Sequence, residues 1–472
     1  MKKLYFIATA FYLTGFMNAS STNPANSKAP AENDVKVING KINKFLVAGA
    51  ETAIRITLKN VGTNAISSVE FNWNDGSGDH KEKVTAYINP GQQREITHPI
   101  QTSYTDIASK NITLTITKVN DGEDSNPADN SVVVMTSVVS QFIPKKVVFE
   151  EGTGTWCGWC PRGMVALDQV NQEYPDDQIS IAVHNGDPMV HAPYNSGAAF
   201  AGFPGMNVDR ELKGVDINPN SIGNYVATRK LLPSPAKLSG EYSIVNNQLT
   251  ANVAAQFFIV NDNANYRLAA VVVEDNVQGT ANGYRQSNYY AGGGNGPMGG
   301  FENLPSTVPA NQMVYDHVGR ALLGGYTGQT GSIPTAVTDG QIVNYTFNYT
   351  VPAEYKQDKL STVLLLLDAS DGSILNAVKL VNSALAVNNI KANAASTVLY
   401  PNPAKSEFSL KLAEDGAYTV VIFDVSGKMV KNYGLVKSTG KTIKLPINLT
   451  PGKYFVNISQ AGNSITKDLL VK

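Results

Sequence analysis

The sequence predicts a multi-domain α+β protein, with a central α/β segment between two all-β sandwiches and a small β-sandwich at the C-terminal end. Three observations lead there. Alternating apolar and polar runs, broken by Asn, Asp, Gly and Pro turns, fill residues 34–140, 236–385 and 397–472. Residues 145–232 instead read as strand, helix, strand. Between that first strand and helix lie Cys157 and Cys160, the only 2 cysteines in 472 residues.

Length and charge bound the reading. A chain of 472 residues is too long for one small core. Its 38 basic and 39 acidic residues nearly cancel, which argues against a general nucleic-acid or anionic-membrane binder. Met1-Lys2-Lys3 and the apolar run from Leu4 to Met17 predict a secretory leader over 1–19, cleaved near Ala19-Ser20. No cysteine follows this run, so a lipoprotein anchor is not expected. Residues 20–33 are a polar linker rich in Pro, Ala and Asn. No later stretch suits a transmembrane helix, and no strand series has the repeat of a membrane barrel.

Within 34–140, Ala53 to Leu58 and Val69 to Trp73 alternate, with turns at Lys59 to Gly62, Asn74-Asp75-Gly76 and Pro90-Gly91. Ile112 to Thr117 is a further strand. This run resembles the immunoglobulin-like adhesion modules of bacterial surface proteins. Its last loop offers Asp121, Glu123 and Asp124 as calcium ligands. Their spacing matches no complete calcium loop, and a structural loop is the plainer reading.

In the central segment, Lys145 to Glu151 predicts a strand, Arg162 to Tyr174 a helix and Gln178 to His184 a second strand. Two thiols three apart at a helix start can close a small ring, and the helix N-terminal amides stabilise the first thiolate. Two cysteines alone make no complete zinc site, and no nearby histidine pair has ligand spacing. A soft ion such as copper finds no methionine or histidine cluster to join the pair. No cofactor is expected.

Trp156-Cys157-Gly158-Trp159-Cys160-Pro161 resembles a thioredoxin-fold active site. Together with the segments C-terminal to it, this motif makes the chain resemble the Omp28-related outer-membrane proteins of the Bacteroidetes. Gly202-Phe203-Pro204-Gly205 is similar to the thioredoxin-type cis-proline loop, which implies that Phe203 and Pro204 face the cysteines and hold a peptide or thiol partner. Gly158-Trp159 departs from the Gly-Pro of thioredoxin, which leaves the direction of exchange open. On this resemblance Cys157, Cys160 and Pro204 are the candidate catalytic residues, with Trp156, Trp159, Phe203 and His184 in support. His184, at a strand end, could tune a thiolate; a backbone-bonded histidine is the plainer reading. His191 is a weaker candidate, and Arg162 either lowers a thiol pKa or faces solvent.

A helix is expected near Tyr194 to Ala201, and a last one from Tyr225 to Leu232, capped by Asn220 or Ser221 and stopped by Pro233 and Pro235. In 236–385, Gly240 to Val245 and Leu249 to Phe258 predict a hairpin about Asn246-Asn247-Gln248. Further strands are expected from Tyr266, Ile342, Ser361 and Ile374. The long Gly/Asn/Tyr-rich stretch from Gln278 to Met313 is expected to be functional or mobile, and to overhang the Cys157 face. His317 and Arg320 read as packing residues.

Leu399-Tyr-Pro-Asn-Pro403, Tyr418 to Asp424, Leu449 to Ile458 and Lys467 to Lys472 predict a small antiparallel sandwich. They resemble the type A C-terminal sorting domain of the type IX secretion system. That resemblance implies passage across the outer membrane by that machinery and a surface-attached or released product. The sequence therefore supports an exported protein exchanging disulfides with a protein partner through Cys157 and Cys160. Its rival is a surface binding or adhesion protein, recognising a surface ligand, in which the pair is a structural bridge.

Overall fold

The computed structural model describes residues 32–383, 397–412, 415–460 and 463–472. The leader and all but the end of the linker expected before residue 34 lie outside those residues, as does the join before 397. Contacts divide the chain into two compact units, one built from parts of residues 1–136 and the other holding residues 137–472 with two short earlier pieces.

The first unit is all β. Val35–Lys41, Arg55–Asn60 and Gln93–Thr97 form one antiparallel sheet. Ile66–Asn74 pairs with both Asp79–Ile88 and Ser109–Val119 in another. Alternate residues such as Ile56, Leu58, Phe71, Ile112 and Leu114 are buried, so the sheets are sandwich-like. The expected turn at Gly76 is present, with φ of 96° and an amide donated to Asn74 Oδ1. The acidic loop is not assembled as a calcium site. Asp124 accepts the amides of Val35 and Asn126, and Asp121 pairs with Lys83. Among the described residues no group of three metal-ligating side chains converges. These oxygens serve the loop's own backbone and a surface ion pair.

The second unit is built on one mixed sheet of eight strands. Its elements are labelled from β1 (Val147–Thr153), α1 (Pro161–Glu173), β2 (Gln178–His184), α2 (Ala192–Ala198), β3 (Gly205–Val208), β4 (Leu212–Lys213) and α3 (Gly223–Arg229). They continue with β5 (Ala236–Val245), β6 (Gln248–Phe257), β7 (Tyr266–Glu274), β8 (Val318–Leu323), β9 (Ile342–Thr350), β10 (Leu360–Asp368), β11 (Ile374–Lys379) and β12 (Val381–Asn382). The sheet order is β4-β3-β1-β2-β8-β7-β10-β11. β1 and β2 run parallel from Val147↔Gln178 to Thr153↔His184, and β3 lies antiparallel to β1. The strands of 145–232 and four strands of 236–385 therefore share one sheet.

The side-chain pattern explains that union. β7, apart from the half-buried Arg267, and all of β10 are buried, with apolar runs at Leu268–Val273 and Val363–Leu367 covered on both faces. Leu268, Ala270, Val272, Leu364 and Leu366 meet the sheet β9-β6-β5-β12 on one face. Ala269, Val271, Val273, Leu365 and Leu367 pack on the other with Val148, Ile181 and Tyr194 of α2. α1 and α3 cover Val147, Phe149, Met206 and Val208. The β5–β6 hairpin turns at Asn246 and Asn247, whose φ values of 51° and 62° are those of a two-residue primed turn. α3 is held at its start by Asn218, whose carbonyl accepts the Ile222 amide, with no side-chain cap from Asn220 or Ser221.

Residues 397–472 form two small antiparallel sheets. Val398–Tyr400, Glu407–Lys411 and Thr442–Pro446 make one. Met429–Ser438, Gly416–Asp424, Gly452–Gln460 and Asn463–Val471 make the other, in that order. Phe408, Leu410, Val420, Ile422, Val456 and Leu469 form their common core, as the alternation predicts.

Candidate functional site

Cys157 and Cys160 are joined as a disulfide, with Cα atoms 5.3 Å apart. They sit where β1 gives way to α1. Cys160 is the residue before the helix, Pro161 opens it, and its first turn carries no acidic residue. A proline is suited to that position because its missing N–H would find no partner there. The amides of this first turn are taken up by backbone carbonyls, Arg162 donating to Trp159 and Gly163 to Cys160, so what the helix end offers a nearby sulfur is the positive end of its dipole.

Aromatic side chains surround the pair. Trp156 and Trp159 are 50 % and 41 % exposed. The Trp156 ring meets Phe203 edge-on at 5.5 Å, and its Nε1 donates to the Asn185 carbonyl. Trp159 meets Tyr289 and Tyr290 edge-on at 5.4 and 5.5 Å. The Phe203–Pro204 peptide is cis. Phe203 thus lies against Trp156, the residue before Cys157.

The Gly-rich stretch after Gln278 lies over the pair, as expected. The Tyr289 amide donates to the Gly158 carbonyl at 2.9 Å, and Gln286 Nε2 donates to the Cys157 carbonyl at 2.9 Å. The Ser287 amide donates to Thr155, whose hydroxyl donates to the Gly283 carbonyl. Position 158 requires glycine, because a β-carbon there would lie 2.5 Å from the Tyr289 ring. Under this cover Cys157 is 4 % exposed and Cys160 is fully buried.

His184 is buried and donates from Nδ1 to Asp187 Oδ2 at 2.7 Å. The same oxygen accepts the Thr155 amide at 3.0 Å, and Asp187 Oδ1 accepts the amide of Met189. His184 therefore supports the turn that leads into Trp156 and Cys157. His191 caps α2 without a side-chain bond, and burial lowers its pKa. Arg320 is a packing residue, paired with Glu274 at 2.7 Å and stacked over Tyr355.

Sequence reasoning missed Glu150 and Glu151, which follow one another on β1 and point to opposite faces. Glu150 is fully paired: Arg210 donates to it at 2.7–3.0 Å and the Tyr194 hydroxyl at 2.6 Å. Among the described residues no lysine or arginine pairs with Glu151. It is 1 % exposed, and its Oε1 accepts no hydrogen bond. Its carboxyl packs under Gly163, where a β-carbon would overlap it, three residues past Cys160. Burial pushes its pKa from 4.5 up to about 8, with the Thr153 hydroxyl opposing and the nearby Asp168 charge adding. The signal in the sequence was two acids ending an apolar strand run, six and seven residues before Cys157.

Comparison with known proteins gives two family matches. The model for outer membrane protein Omp28 matches residues 193–386, and that for a secretion system C-terminal sorting domain matches 398–472. No curated protein matches the chain. Among solved structures, HBP35 of Porphyromonas gingivalis is 18 % identical, with a TM-score of 0.39 over 70 % of this chain and 99 % of that one. Protein AGR_C_4864 from Agrobacterium tumefaciens is 16 % identical, with a TM-score of 0.29 over 51 % and 96 %. The CARDB domain of PF1109 from Pyrococcus furiosus is 17 % identical, with a TM-score of 0.20 over 24 % and 99 %. At these scores the likenesses are too loose to carry a functional reading. Among the described residues no helix is long and apolar enough to cross a membrane. The chain carries an Omp28-like domain and a C-terminal type IX sorting domain, and its place is the outer membrane, the cell surface or the extracellular space.

Proposed function

We propose that this protein exchanges disulfides with a protein partner outside the inner membrane, through Cys157 and Cys160 on a thioredoxin-like segment. One observation carries the reading: the cysteines are bonded at the start of α1, and three residues on Gly163 packs against the buried Glu151 carboxyl, whose Oε1 accepts no hydrogen bond. Unpaired buried acids are costly and concentrate at functional sites. In the reduced protein Cys157, at the helix end, is the nucleophile. Its thiolate attacks a partner disulfide, and Cys160 then attacks Cys157 Sγ in the mixed disulfide, releasing the partner thiolate. Trp156, Phe203 and Pro204 would seat the partner chain, and the immunoglobulin-like unit would carry the site or add its own contacts.

A second reading is favoured by the cover of Gln286 and Tyr289, which leaves Cys157 almost inaccessible. On that reading the bond is a permanent bridge in a surface binding protein. The reduction potential separates the two. Exchange requires a value within about −270 to −120 mV, whereas a structural bridge lies below about −300 mV. A potential in the lower range, measured against a glutathione or dithiothreitol buffer, would remove the exchange reading.

The sorting domain implies engagement with the type IX machinery. Deleting 398–472 should leave the rest of the chain in the periplasm of a host that has this system. Intact-mass analysis of the surface or released product should then find a C-terminus before residue 398. Full-length protein ending at Lys472 on the surface would show that the segment is kept.

A further inference from the structure

The Gly-rich strap over the cysteines is anchored at its ends by packing and at its middle chiefly by hydrogen bonds. At the ends, Val277, Val308, Met313 and Tyr315 belong to one buried cluster, with Phe301 and Leu304 packed against it. In the middle, residues 286–289 run between two neighbours. Gln286 and Ser287 pair antiparallel with Val308 and Thr307. The amides alternate in direction: Ser287 donates to the Thr155 carbonyl at 2.8 Å, Asn288 to Ser306 at 2.8 Å and Tyr289 to Gly158 at 2.9 Å. That is the pattern of a strand inside a sheet. Gln286 Nε2 is the strap's third donor to the cysteine loop, at the Cys157 carbonyl.

We infer that residues 286–289 stand in for the exchange partner, and that the partner is an extended polypeptide segment carrying an aromatic side chain. The inference rests on the exchange reading proposed above and names its substrate class. The cysteine loop presents the carbonyls of Thr155, Cys157 and Gly158 to the strap, and buried carbonyls need donors. An extended chain offers amides on one side from every second residue, as Ser287 and Tyr289 do. The Tyr289 ring lies over Gly158 and edge-on to Trp159, so the surface takes a flat side chain at the second donor. Strap and partner therefore compete for one surface. With the strap seated Cys157 is 4 % exposed, and exchange waits on its release.

That release is local. It breaks the three bonds to the cysteine loop and those of Asn288, whose buried amide group donates to the Phe301 and Pro305 carbonyls. The anchoring cluster stays intact. Backbone freedom comes from the turn beyond Tyr290, where Gly292, Gly293, Gly296 and Gly300 have positive φ and a β-carbon would meet nothing within 4 Å. Gly294, in the same turn, has φ and ψ of −62° and −24° and equal space around it. Alanine at 294 therefore fits the seated strap and restricts only the released one.

The test follows reduction of the full-length protein by dithiothreitol, read by alkylation and intact mass. One reductant thiolate attacks Cys157 Sγ, the Cys157–Cys160 bond breaks, and Cys160 leaves with the electron pair and gains a proton. The second reductant thiol then displaces Cys157, which also ends as a thiol, and dithiothreitol closes to its cyclic disulfide. Tyr289→Ala should be reduced about two- to tenfold faster than wild type, for the lost ring contacts. Gly294→Ala should be reduced about two- to fivefold more slowly. Equal rates in the three proteins would overturn the strap's role. A cysteine-free peptide of residues 285–291, at millimolar concentration, should bring Tyr289→Ala back toward the wild-type rate. The same peptide, N-methylated at the amides that match Ser287 and Tyr289, should have no effect. Equal effects of the two peptides, or none from either, would overturn the polypeptide class of partner. None of these rates requires turnover, so a reduction potential in the structural range would sink the exchange reading while the rates still decide the strap's role.

Discussion

Arg210→Ala should cost the second unit about 3–5 kcal/mol, the usual price of stripping one partner from a buried ion pair. Arg210 is 2 % exposed, and Glu150 is wholly buried beside it. The guanidinium donates to both carboxylate oxygens, and its plane lies 3.6 Å from the centre of the Tyr326 ring. Removing it leaves a charged carboxylate in the core with tyrosine hydroxyls such as that of Tyr194 as donors and no cation beside it. The measurement is the shift in urea midpoint of the full chain, read by fluorescence and by calorimetry. Adding Glu150→Gln to the variant should recover part of the loss, since the orphaned charge goes with it. A loss of under about 1 kcal/mol, as for an exposed pair, would show that water reaches the site and that Glu150 is not buried as described.

Much of this architecture is legible before any coordinates are seen. β2 falls on Gln178–His184 and α1 on Pro161–Glu173, because the apolar run, the proline and the cysteine pair fix their ends. The Asn246-Asn247 turn and the β-rich C-terminal segment follow from turn chemistry and alternation. What was not legible is the sharing of one sheet by residues 145–232 and 236–385. Ala269-Ala-Val-Val-Val273 and Val363-Leu-Leu-Leu-Leu367 do not alternate, and runs of that kind belong to strands buried on both faces. Read as sandwich strands they suggest a separate domain; their composition instead called for a central position in a larger sheet. The site was half legible. Cysteines and tryptophans announce their chemistry by type and spacing, whereas Glu151 differs from Glu150 only in what the fold brings to each face of β1.

That difference gives the last expectation, a pH dependence of stability that Glu151→Gln removes. The folded chain holds the Glu151 proton up to about 8, whereas an ordinary glutamate releases it near 4.5. Between those values the native state binds more protons than the unfolded state, so stability falls as pH rises through the window. The slope is about 1.4 kcal/mol per pH unit, or roughly 5 kcal/mol over the whole range. Below the window both states are protonated, and above it both are ionised, so the term is flat at each end. Glutamine keeps the shape of the protonated acid and has no such term. The variant should therefore match the wild type near pH 4 and exceed it by several kcal/mol near pH 8.5. Urea midpoints of both proteins across that range provide the test, because every other titrating group is common to the pair. Parallel curves would mean that Glu151 is ionised in the folded state at neutral pH, and that a counter-charge or solvent reaches it from a direction the fold does not show.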